Sequence, residues 1–100
     1  MNQPQIKIDE KGKGQIIIDE GSERIALMEI GIKNDQLTVY HTEVAPAAEG
    51  KGFAKILLDS MVSHAREHHL HVVPLCSYVQ AQFKRHPEQF SDIWTDTTHK

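Results

Sequence analysis

Cysteine is nearly absent: Cys76 is alone, so no intrachain disulfide can form, which suits a reducing compartment. A basic excess is also missing. Eleven Lys and Arg stand against fourteen Asp and Glu, a net charge of -3. That balance gives no electrostatic case for nucleic acid or an anionic membrane. Any anionic ligand must therefore be held by local geometry. No apolar run approaches the roughly 20 residues that span a bilayer. The segment Met1-Asn2-Gln3-Pro4-Gln5 lacks the apolar core of a signal peptide. Soluble and cytoplasmic is the expected setting. The 100 residues leave no room for a second core, so residues 1–100 read as one domain. It is small enough to bury only about 60–65% of its unfolded surface. Repeats, linkers and low-complexity segments are missing too.

What is present is a change of period. Residues 6–44 read as a meander of strands. Ile16-Ile17-Ile18 is β-branched and Glu20-Gly21-Ser22-Glu23 is a turn. Ala26, Met28, Ile30 and Ile32 then alternate on one face. Lys33-Asn34-Asp35-Gln36 is a second turn, and Leu37 to Val44 a strand of β-branched and aromatic residues. Short turns make these neighbours antiparallel. Beyond them, Ala54, Leu57, Leu58, Met61, Val62 and Ala65 recur at helical spacing, predicting a helix over Gly52 to His68. His71 to Ser77 reads as a short strand, and Val79 to Arg85 as a second helix. His86-Pro87 ends that helix, because a residue before proline disfavours helical geometry. The last ten residues read as loosely held. A strand, helix, strand order implies a crossover and a parallel pair. The expected fold is thus α/β (α+β): an antiparallel meander, one parallel β-α-β unit and a C-terminal helix.

In open sheets ligands collect at the carboxyl ends of parallel strands, where Val44 to Gly52 meets Cys76-Ser77-Tyr78. A helix start leaves up to four N–H groups unpaired and carries roughly half a positive charge. Gly50 and Gly52 let a ligand approach that main chain, forming a nest suited to a phosphate or pyrophosphate. Lys51 adds a point charge. The bland alternative is a plain turn. A P-loop is excluded, because no Gly-x-x-x-x-Gly-Lys-Ser/Thr run exists. A dinucleotide fingerprint lacks its third glycine: Gly50-Lys51-Gly52-Phe53-Ala54-Lys55 has lysine there.

This segment resembles the coenzyme A motif of the GNAT acetyltransferase superfamily, Gln/Arg-x-x-Gly-x-Gly/Ala. Gly52 and Ala54 match it, and Glu49 stands where Gln or Arg is usual. Thr42 through Ala54, Val73-Pro74-Leu75-Cys76-Ser77-Tyr78-Val79 and Arg85-His86-Pro87-Glu88 look like a subgroup of short GNAT-like proteins, over roughly residues 15–92. The resemblance implies that acetyl-CoA is bound. Val44 and Ala45 would offer backbone groups to the pantetheine arm. Glu49, Gly50, Lys51, Gly52, Phe53 and Ala54 would wrap the pyrophosphate. Two departures stand out: the carboxylate of Glu49, and the missing early helices and late strands with which longer relatives build an acceptor site.

Acetyl transfer to an amine needs a base, a stabilised oxyanion and a proton for the departing thiolate, or else a covalent relay. His41 is a candidate base and Tyr78 a candidate acid, against plain sheet and packing roles. Cys76 is either a small buried hydrophobe or a nucleophile, and the subgroup resemblance implies that it faces the thioester. Relay through Cys76 and direct transfer both stay open. His64 and His68 share a helix face at a spacing that can bind zinc, but histidines near a helix end also suit its dipole. No metal site is expected. The reading is an acetyl-CoA-dependent N-acetyltransferase acting on an unidentified amine, as a monomer or weak dimer, with no nucleic acid or membrane partner. The alternatives are a coenzyme A-binding regulatory module without turnover, and an interaction domain with a vestigial pocket.

Overall fold

A run of isoleucines and an apolar helix face account for most of the architecture. The computed structural model describes residues 3–94. Strands β1 (Gln5–Ile8), β2 (Lys13–Glu20), β3 (Glu23–Lys33) and β4 (Gln36–Val44) form an antiparallel meander. Helix α1 (Phe53–Glu67) crosses over to β5 (His71–Pro74), which pairs in parallel with β4. The order across the sheet is β1-β2-β3-β4-β5. Helices α2 (Ser77–Arg85) and α3 (Pro87–Phe90) follow.

The core lies on one face of this sheet. Ile16, Ile18, Met28, Leu37, Val39 and Val72 are buried there against Leu57, Leu58 and Met61 of α1. At about 25 cal/mol per Å2 of apolar surface, each such side chain contributes roughly 1.5–3 kcal/mol. The other face of the sheet is largely open. Positive φ falls on Asn34 and Gly21 in the two tight turns, residue types that tolerate it.

The expected helix bounds match α1, with Gly52 and His68 as its caps. Three details differ. Strand β1 had no separate signal, because Gln5-Ile6-Lys7-Ile8 is short and mostly exposed. Strand β5 stops at Pro74, not Ser77, because the Leu75 and Cys76 amides both turn to the Val39 carbonyl, at 3.0 Å each. Helix α2 therefore starts two residues early, with Cys76 as its extended N-cap.

The C-terminal segment is also better packed than expected, as far as it is described. Phe90, Ile93 and Trp94 are buried, with Phe83 stacked on Phe90 and tilted against Trp94. The Ile93 carbonyl accepts the Val72 amide at 2.7 Å, closing part of the outer edge of β5. Residues 95–100 lie outside the described residues. No helix among the described residues is long and apolar enough to cross a membrane.

Candidate active site

Strand β4 outlasts its parallel partner. Its pairing with β5 covers only Gln36 to Val39, while pairing with β3 continues to Val44. A bulge lies at the point of separation: Ile30 faces Val39 and Glu29 faces His41, leaving Tyr40 unpaired. Thr42 to Val44 thus present one backbone edge that no strand covers. Successive strand residues send their amides to alternate edges. Because the Ala45 amide donates to Ile25 O at 2.8 Å, Thr42 and Val44 are the residues turned to the vacated side.

The chain then turns through a single 3-10 turn, Pro46–Ala48, tied by Ala48 N to Ala45 O at 2.8 Å and by burial of Ala48. Gly50 and Gly52 have φ of 82° and 85°, in the left-handed region that favours glycine. A left-handed Gly52 followed by helical Phe53 is the geometry of an anion nest. Helix α1 has no side-chain N-cap and no acidic residue in its first turn. Its early amides therefore face out with their partial positive charge unneutralised. A Cβ on Gly50 or Gly52 would meet nothing within 4 Å, so the space above the loop is open to a ligand.

A cleft of about 390 Å3 adjoins this loop. Thr42, Val44, Glu49, the two glycines and Tyr78 are among its lining residues. Burial raises the Tyr78 phenol above 10.0; Lys55 opposes that rise, while Asp59 and Cys76 add to it. Tyr78 is thus a protonated donor at neutral pH. Cys76 is buried, and its Sγ lies 3.2 Å from Thr42 Oγ1.

Over residues 15–93 the chain matches the family profile described as GCN5-related N-acetyl-transferase. The chain belongs to the GCN5-related N-acetyltransferase family. Membership assigns it to the acetyltransferases as a class of enzyme. Among solved structures, a GCN5-like protein from Staphylococcus aureus, determined by NMR, is 24% identical with a TM-score of 0.69, covering 100% of both chains. A ribosomal-protein-alanine N-acetyltransferase from Brucella melitensis is 15% identical with a TM-score of 0.64, over 91% of this chain and 67% of that one. The Escherichia coli ribosomal-protein-S18-alanine N-acetyltransferase is 13% identical, TM-score 0.60, over 66% and 43%. At these identities the likeness is one of fold. No curated protein matches the chain by sequence.

GCN5-related N-acetyltransferases generally use acetyl-CoA, and the residues here fit it. An uncapped helix start, a glycine nest and a vacated strand edge are what a pyrophosphate and an amide-bearing arm require. The two ends of the predicted loop behave differently. Gly50, Gly52, Phe53 and Ala54 line the cleft together with Glu49, while Lys51 is exposed and outside the lining. The Ala45 amide is already given to Ile25. Three lining residues were not singled out from the sequence: Thr42, Ala48 and Lys55. Thr42 and Ala48 lie within the family-like run without a role of their own, and Lys55 falls on the solvent side of the helical pattern, where its Nζ holds Asp59 at 2.9 Å.

His41 is not beside Cys76 and Tyr78. The bulge turns it to the open face of the sheet, opposite Glu29, where its Nε2 lies 2.8 Å from Glu43 Oε2. A larger cavity of about 670 Å3 also lies over β1 to β4, with Lys7, Gln15, Glu29 and Tyr40 in its lining. It has no helix start or glycine nest, so the smaller cleft is the better candidate. At the far end of α1, burial and then the neighbouring His68 hold His64 below its usual 6.5, partly offset by Glu67.

Proposed function

We propose that this chain transfers an acetyl group from acetyl-CoA to an amine, directly and without an enzyme-bound acetyl. The observation that carries the reading is the convergence of the uncapped glycine start of α1 and the Tyr78 hydroxyl on one cleft. Acetyl-CoA supplies an activated thioester. The amides at Gly52, Phe53 and Ala54 would hold its pyrophosphate by backbone dipoles, which explains binding by a chain of net charge -3. Glu49 lines the same cleft and is exposed, so its carboxylate can turn to solvent. Thr42 and Val44 would take the arm along the uncovered edge of β4.

Tyr78 would donate the proton of its Oη to the departing sulfur. His41, bonded to Glu43 on the open face of the sheet, lies outside the cleft lining, so the proton of the incoming amine would pass to solvent. Burial of Cys76, with the Thr42 hydroxyl as its hydrogen-bond partner and no imidazole among the described residues bonded to it, favours direct transfer over a relay. The acceptor is an amine of unassigned identity, and the cytoplasm is the setting that the composition favours.

A screen of small amines and peptide N-termini with acetyl-CoA, read by release of free thiol, tests the proposal. Turnover with at least one amine, reduced by roughly 10^2 or more in Tyr78→Phe, is the expected result. Binding of acetyl-CoA with no turnover on any acceptor class would leave a binding module instead.

A further inference from the structure

Three metal-ligating side chains meet at the C-terminal end of α1. The donor atoms of His64, Glu67 and His68 all lie within 4.8 Å of one another. The sequence offered the two histidines, and Glu67, three residues after His64, shares their side of the helix. On a helix, positions three and four apart flank one another, fanning over an arc of about 100°. The imidazole centroids of His64 and His68 are 4.3 Å apart. Donors around a tetrahedral ion with bonds of about 2.0–2.1 Å stand roughly 3.3 Å apart. Closing from 4.8 Å to that distance takes side-chain rotation, chiefly of the exposed Glu67 and His68 toward the half-buried His64.

We propose that His64, Glu67 and His68 form a binding site for one divalent late transition metal ion, with water completing its coordination. Two imidazoles and a carboxylate select zinc, nickel or copper over magnesium or calcium, which prefer all-oxygen sites. The position adds to this. The last carbonyls of α1 carry partial negative charge, and a cation there is favoured. The ion would bridge positions four apart and hold the final turn just before His69, whose φ of 55° reverses the chain toward β5. The site is about 18 Å along α1 from Gly52, so it is separate from the proposed acetyl-CoA cleft.

Zinc chloride titrated calorimetrically into the untagged full chain, with melting followed in parallel, tests the assignment. One equivalent should bind at micromolar concentration and raise the melting temperature. His64→Gln and His68→Gln should each weaken binding at least tenfold, Glu67→Gln less, and the nearby His71→Gln not at all. Copper should bind more tightly than zinc. The melting shift given by acetyl-CoA should be the same in His64→Gln as in the unaltered chain. Unchanged zinc affinity in the His64→Gln, His68→Gln double variant would overturn the proposal, as would no binding below millimolar zinc.

Discussion

Gly52 sits at φ 85° with open space where a side chain would begin, so backbone and ligand make separate demands on it. Gly52→Ala meets only the backbone demand and should cost about 1–2 kcal/mol of stability by chemical denaturation. Gly52→Asp separates the two. Aspartate visits the left-handed region more readily than alanine, so the fold should persist while its charge repels the pyrophosphate. Loss of acetyl-CoA affinity in a folded Gly52→Asp is therefore the expected outcome, checked by calorimetry. Tyr78→Phe should lower kcat by about 10^2–10^4 and leave KM for acetyl-CoA nearly unchanged. The raised phenol sets the sign of the pH dependence: the protonated acid survives through neutrality, and the alkaline loss of rate falls at higher pH than an ordinary phenol would give. That limb should be absent from the residual activity of Tyr78→Phe. Cys76→Ala should keep most turnover, and mass spectrometry should find no acetyl group on Cys76 after acetyl-CoA alone. A site-specific acetyl-Cys76 would restore the relay.

At the scale of elements, α1 is tied at both ends. Its start is the glycine joint, and its last turns are clamped by Arg66, whose guanidinium meets Asp92 at 2.9 and 3.3 Å and the Gln89 carbonyl at 2.6 Å. The hydrogen bond from Arg66 holds the Asp92 carboxyl below its usual 3.8. A lowered carboxyl stabilises the fold above its unfolded value and loses that contribution as pH falls through the folded one. Arg66→Ala should thus cost up to about 1 kcal/mol at neutral pH, since the pair is exposed. Its difference from the unaltered chain should shrink as pH falls below 3.8, which denaturation at several pH values will measure. The same elements mark what the sequence could and could not disclose. Helix α1 was legible because five buried residues repeat at its period, and the glycines flagged its start. Strand β1 carried no burial signal, and the end of β5 depended on a shared carbonyl at Val39 that no local pattern encodes. The bulge at Tyr40 is a pairing event, so neither the turning of His41 away from Tyr78 nor the role of Thr42 was readable from spacing.

For the molecule as a whole, one small core supports a cleft that a ligand should brace. Acetyl-CoA at a hundredfold its dissociation constant adds about 2.7 kcal/mol. In a domain of this size that amounts to a melting shift on the order of 10 °C or more, and a nucleotide lacking the pantetheine arm should give much less. The gain rests on β4, α1 and α2 meeting at the vacated strand edge, so it belongs to the fold and not to any one residue. Amide chemical shifts during an acetyl-CoA titration of the isotopically labelled chain test this most directly. The account predicts that the largest changes fall on Val44, Gly50, Gly52, Phe53 and Ala54, with Tyr78 following. Changes centred instead on Lys7, Gln15 and Glu29 over the open face of the sheet, or none at millimolar acetyl-CoA, would contradict it.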